Sequence, residues 1–183
     1  MLRSPIGNFE QAWRAVDRPD LVGEAVSKGL VGLAGADQVL VVDTDPDLAD
    51  TANFCQAYDV PLDASANCVV VAGKRAQTVT FAACVVLATT RADVNGLVRK
   101  HLEARKASFA PTETAVAETG MEYGGITPIG LPASWPILVD AAIVDLPHVI
   151  IGSGRRRGKL IVPGQVLAAV PGAQTVAGLG IGT

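Results

Sequence analysis

Histidine and cysteine are scarce in this sequence: two histidines, His101 and His148, and three cysteines, Cys55, Cys68 and Cys84. With so few histidines and no G-x-S-x-G turn, a hydrolytic triad has few ways to form. No H-x-x-x-H or His–Cys spacing occurs, so no metal is expected. The cysteines make no CxxC pair, and Cys68 and Cys84 lie in valine-rich runs, which reads as apolar packing in a reducing compartment. Aromatic residues are only 4% of the chain. The core must therefore be built from Val, Ala, Leu and Ile, and the leaning towards Val suits strands. An excess of positive charge is also missing. The net charge is −3 and the isoelectric point about 5.3, whereas proteins that grip long nucleic acids are usually basic. Any nucleic-acid contact should then be small and local. The longest apolar run, around AACVVLA (82–88), is too short to span a bilayer. The opening MLRSPIGNFEQAW has no apolar signal core. Together these absences predict a cytoplasmic protein with no membrane association.

What is present is ample material for one domain: 183 residues, 49% apolar and 18% charged, a balance that rules against disorder. NFEQAWRAVDR (8–18) reads as a helix and QVLVVD (38–43) as a strand. In DPDLADTANFCQAYDV (45–60), Asp45 is placed to cap a helix with Pro46 at its first position. NCVVVAG (67–73) and QTVTFAACVVLAT (77–89), joined at GKRA, predict a β-hairpin. TRADVNGLVRKHLEARK (90–106) predicts an amphipathic helix with Val94, Leu97, Val98 and Leu102 on one side. KASFA (106–110) is a candidate strand. Thr112 is placed to cap a helix over 112–119 that Gly120 ends. WPILVDAAIV (135–144), HVIIGSG (148–154) and GKLIVP (158–163) predict three strands, and PGQVLAAV (163–170) a helix. The tail GLGIGT (178–183) should fray. The sum is a mixed α/β, or α+β, single domain with much antiparallel sheet.

Two glycine-rich stretches invite a phosphate-binding reading and fail it. GSGRRRGKL (152–160) has three residues, not four, between Gly154 and Gly158, and Leu160 where Ser or Thr is required. A strand, not a helix, is expected to follow it. GLGIGT lacks a strand–helix context.

The stretch TGMEYGGITPIG (119–130) is different. Four glycines and Pro128 in twelve residues make either a plain turn or a loop whose bare backbone must come close to a ligand. It resembles the T-G-x-x-x-G-G-[IV]-[ST]-P-[LIF]-G signature of the YbaK family, the free-standing relatives of the editing domain inserted in bacterial prolyl-tRNA synthetases. The hairpin, the helix at ADVNGLVRKHL, KASFAPTETAVAETG, PILVD and VIIGSGRRRG follow in that family's order, over roughly residues 43–170.

The resemblance implies a YbaK-like fold, with a largely antiparallel mixed sheet or open barrel flanked by helices. It places the editing domain over 41–172, after a partly helical N-terminal extension (1–40) and before a C-terminal tail (173–183). It implies trans-acting deacylation of mischarged aminoacyl-tRNA without a cofactor. The N–H groups of Gly124 and Gly125 would polarise the ester or hold an adenosine hydroxyl, with Pro128 stiffening the loop. A small pocket can act only as a sieve, a methylene being worth ~1–3 kcal/mol, so alanine, cysteine and serine are the expected amino acids. The implied partners are the tRNA acceptor end and an aminoacyl-tRNA synthetase.

Around the loop, the resemblance assigns substrate contacts to Asn67, Thr127, Asp140, His148, Ser153 and Gly154. Capping for Asp140 and a partly buried strand end for His148 stay open as alternatives, and a bare turn is the safer reading of Ser153 and Gly154. Arg155, Arg156, Arg157 and Lys159 are candidate phosphate contacts, while RKHLEARK (99–106) reads as an ordinary solvated helix face. One position departs from the family: Asn67 stands where a lysine usually begins the strand. Another cation, Lys74, Lys106 or one of 155–159, could take its place. The alternative is a non-catalytic module that only binds an aminoacyl-adenosine-like ligand or a tRNA 3′ end.

Overall fold

A computed structural model describes residues 1–183. Its spine is the hairpin of β3 (Ala66–Arg75) and β4 (Thr78–Leu87), paired antiparallel from Ala66↔Leu87 to Arg75↔Thr78. β7 (Ile137–Asp140) adds parallel to β4, β10 (Ala173–Val176) parallel to β7, and β6 (Lys106–Phe109) antiparallel to β3. The resulting five-stranded sheet runs β10-β7-β4-β3-β6. A second sheet, β1-β2-β9-β8, is antiparallel throughout and comprises β1 (Ala12–Arg14), β2 (Leu40–Val42), β8 (Val149–Gly152) and β9 (Lys159–Val162). A bridge between Ser65 and Ile150 joins the two sheets. Between them lies a core of 23 buried residues, dominated by Val, Leu and Ile. The fold is thus mixed α/β with largely antiparallel sheets.

The N-terminal 40 residues are part of this core. α1 (Glu24–Leu30) buries Val26 and Leu30 in it. The helix expected over 8–18 is absent: Ala12, Trp13 and Arg14 form β1, in register with Val42, Val41 and Leu40. The edge of β2 offers backbone hydrogen bonds that outweigh the helical spacing of this short segment.

Residues 45–60 divide in two. Asp45 caps a 3-10 turn, Pro46–Leu48, and Asp50 caps α2 (Thr51–Ala57), accepting from the N–H groups of Ala52 and Asn53. The segment 90–106 opens as β5 (Thr90–Ala92), and Asp93 then caps a π-type turn, Val94–Val98, that runs into α3 (Arg99–His101). Val94, Val98, Leu97 and Leu102 pack together as their spacing predicts. α4 (Thr112–Thr119) has Pro111, not Thr112, at its cap and ends on Gly120 in a left-handed conformation. The first of the three expected strands stops at Asp140, which caps α5 (Ala141–Val144). α6 (Gly164–Ala168) follows β9. The C-terminal segment does not fray: β11 (Gly180–Gly182) pairs with β5, and Gly180 donates to Asp140 Oδ2 at 2.8 Å. No helix is long and apolar enough to cross a membrane.

Candidate active site

The glycine loop and the turn after β8 form one interlocked unit. Gly154 N–H donates to Gly125 O at 2.7 Å, and Glu122 N–H donates to Gly154 O at 3.0 Å. A Cβ on Gly125 would lie 2.3 Å from the carbonyl oxygen of Arg155, so only glycine permits this approach. Its own N–H is engaged by Glu122 O at 3.0 Å. Gly125 therefore clamps the loop, with no free donor for a substrate.

Gly124 lies one residue earlier with φ +82°, a left-handed conformation that other residues adopt at a penalty. Its N–H has no partner within the protein, and it lines a cleft of about 430 Å³. The cleft is also lined by Ala66, Asn67, Cys68 and Val69 of β3 and by Ala49, Asp50 and Thr51 at the start of α2, with Ala49 packed next to Gly124. Thr51 donates its hydroxyl to Asn67 Oδ1 at 2.8 Å, fixing the amide with its NH₂ left to donate.

Lys159, on β9, is the buried charged residue of this cleft's lining. It is only 8% exposed. Its ammonium makes one long hydrogen bond, 3.5 Å to Gly124 O, and lies 5.2 Å from the Phe54 ring centroid, with no carboxylate in an ion pair with it. Burial pulls its pKa below the usual lysine value, neighbouring Arg156 pulls the same way, and Cys55 and Asp50 oppose. A buried ammonium group with spare donors is a candidate for meeting negative charge on a ligand. Arg156 lines the same cleft, with its guanidinium 5.7 Å from the Tyr123 ring.

The other residues of the basic run are occupied elsewhere. Arg155 Nε donates to Val22 O at 2.8 Å, and Arg157 forms a two-pronged ion pair with Asp43. Arg157 borders a larger hollow of about 710 Å³, also lined by Phe9, Trp13 and Tyr58, whose only cation is thus already paired.

The remaining sequence candidates lie outside the cleft lining. Ser153 is fully buried, and its hydroxyl accepts from Arg155 N–H and shares its one proton between the carbonyls of Arg155 and Arg157, shaping the turn. Gly154 packs against Gly23, closing the contact with the N-terminal segment. Thr127 and Pro128 are buried under the loop, and Thr127 Oγ1 has no hydrogen-bond partner. Asp140 caps α5 and holds Gly180. His148 is half-buried at the far end of β8 from Gly152, about 13 Å along the strand from that cleft residue.

Thr51, Tyr123, Ile126 and Gly152 line the cleft without having been singled out from sequence. Tyr123 and Ile126 lie within the glycine loop and Gly152 opens the turn motif at the end of β8, while Asp50–Thr51 carried a separate signal, a second capping pair within 45–60. No nucleophile is primed here: burial raises the thiol of Cys68, which lines the wall, and pushes that of Cys84 up to about 12. No three His, Cys, Asp or Glu side chains converge as a metal site would require.

The model of the aminoacyl-tRNA editing domain matches residues 45–170. No curated protein matches the chain. Among solved structures, a candidate trans-editing enzyme for prolyl-tRNA synthetase superposes with a TM-score of 0.72 at 22% identity, covering 86% of this chain and 96% of that one. A scaffold protein from computational epitope grafting gives 0.73 at 21% identity, covering 87% and 97%. A hypothetical protein gives 0.68 at 19%, covering 77% and 90%. At these identities the likeness is one of fold.

Proposed function

The chain belongs to the aminoacyl-tRNA editing domain family, and from that premise we propose that it deacylates mischarged tRNA in trans. One observation carries the proposal: a buried ammonium group with no carboxylate partner, Lys159, faces a small cleft closed by the glycine loop.

In this reading the terminal adenosine and its ester enter between β3 and the loop. Lys159 and the free N–H of Gly124 withdraw charge from the acyl carbonyl as the tetrahedral intermediate forms. Water adds to the acyl carbon, the carbon–oxygen ester bond breaks, and the ribose hydroxyl leaves with a proton. The vicinal ribose hydroxyl is positioned to pass that proton, which supports the reaction in a cleft without a primed nucleophile. An aminoacyl ester is already activated, so the barrier to be removed is modest. Asn67 orients the substrate through its free NH₂, and Arg156 meets phosphate at the rim. The walls of Ala49, Ala66, Cys68, Val69 and Ile126 fit a small amino acid such as alanine, cysteine or serine.

The lysine usual at position 67 is absent, and this favours a second reading, a module that binds without turnover. A panel of tRNAs carrying matched and mismatched amino acids separates the two. Selective ester loss from a small amino acid, weakened by Gly124→Ala and Lys159→Gln, is the expected result. No loss from any tRNA, with activity appearing only in Asn67→Lys, would establish the binding module instead.

A further inference from the structure

The end of the sheet remote from the cleft gathers an unusual density of positive charge. Two adjoining hollows share Arg99 and Arg105, and their linings also include Lys74, Arg75, Lys100 and Lys106. Six of the chain's fifteen Lys and Arg residues meet there, against one acidic side chain, Glu103, out of eighteen in the chain. The chain as a whole carries −3, so the rest of the surface is strongly acidic by contrast.

The cations come from three segments: Lys74 and Arg75 at the end of β3, Arg99 and Lys100 in α3, and Arg105 with Lys106 at the entry to β6. Lys74 and Lys106 face each other directly in the β3–β6 register. Like charges at opposed positions of neighbouring strands destabilise a sheet. A single lysine on edge strand β6 would serve to keep the edge from pairing with other chains, but that role does not call for five more cations around it. Neutralisation from within is slight. Arg75 reaches Glu103 only at 3.9 Å, and Arg99 bonds a backbone carbonyl, that of Asn95. An external polyanion is the partner that relieves this arrangement.

We propose that this surface docks the phosphodiester backbone of the acceptor stem of the same tRNA whose 3′ end enters the cleft. The inference rests on the editing reading for the identity of the RNA. Strand β3 links the two places: Asn67 lines the cleft and Lys74 the basic surface, about 23 Å apart along the strand. The paired stem begins a few unpaired nucleotides before the terminal adenosine, so its first phosphates fall at such a distance from the cleft. The cleft would read the aminoacyl end and the basic surface would hold the stem without regard to sequence.

The test uses the full chain and a variant with Lys74→Gln, Lys100→Gln, Arg105→Gln and Lys106→Gln, all exposed positions whose exchange leaves the core intact. Binding of uncharged tRNA is measured across salt concentrations, and hydrolysis is followed on aminoacyl-tRNA and on an aminoacylated CCA trinucleotide. The variant is expected to bind tRNA about 10- to 100-fold more weakly, with the salt slope reduced by about 3. Hydrolysis of the trinucleotide is expected to match the wild type. An unchanged salt slope would overturn the docking surface and leave editing intact. So would an equal loss on the trinucleotide, which would place the effect at the cleft. Steep, variant-sensitive binding by a protein that hydrolyses no aminoacyl-tRNA would overturn the editing reading and support the surface.

Discussion

Replacing Lys159 with methionine should make this protein more stable and less active. The side chain is 8% exposed, and its ammonium has one 3.5 Å hydrogen bond and an aromatic ring at 5.2 Å. The effective penalty for burying an ion is several kcal/mol. The ring returns about 1–2 kcal/mol of that. Methionine keeps most of the stem's apolar contact and removes the charge. A net gain of about 1–2 kcal/mol is expected, which for a chain of this size raises Tm by about 2–8 °C. The gain depends on pH. Burial depresses the lysine's folded-state pKa below 10.5, so the folded wild type carries the full penalty only below that depressed value. As pH rises from there towards 10.5, the folded lysine loses its proton and the advantage of methionine shrinks. Thermal melts at pH 7 and pH 10 measure this, and an ester-release assay should show deacylation about 10²- to 10³-fold slower. A variant less stable at pH 7, or one whose advantage is the same at pH 10, would refute the claim that an unpaired buried charge sits there.

Thr127→Val should be neutral or stabilising by up to about 1 kcal/mol, because the buried hydroxyl it removes has no partner. Deacylation should be unchanged, and a marked loss of activity would instead make Thr127 a substrate contact. Gly125→Ala should destabilise by about 1–3 kcal/mol, since its Cβ would collide with the backbone of Arg155; chemical denaturation reads this directly. Lys106→Glu should stabilise the sheet by about 0.2–1 kcal/mol by turning a like-charge pair with Lys74 into an attractive one. The same change should weaken tRNA binding, and stabilisation with unaltered binding would mark the face as merely solvated.

The β3–β4 hairpin was legible because valine-rich runs flank a short turn. The helix at 112–119 was legible because Gly120 ends it. Segment 8–18 misled because β1 exists only through its pairing with β2, and a local spacing carries no record of a distant partner. The C-terminal strands were missed for the same reason: β10 and β11 are held by β7 and β5. Within the site, the glycine loop announced itself by composition, yet its two adjacent glycines separate in role. Gly124 opens on the cleft and Gly125 clamps the turn.

The sequence by itself determined the mixed fold, the family and the glycine loop, because periodicity and turn residues act over a few neighbouring positions. Which of the cations 155, 156, 157 and 159 faces the cleft was decided by tertiary structure alone. All four take their orientation from residues far away in the chain: Val22 for Arg155, Tyr123 for Arg156, Asp43 for Arg157, Gly124 for Lys159. The gathering of six cations into one surface on an acidic protein was likewise a product of folding. Net charge sums over the whole chain, whereas the field at a surface depends on which side chains the strands bring side by side.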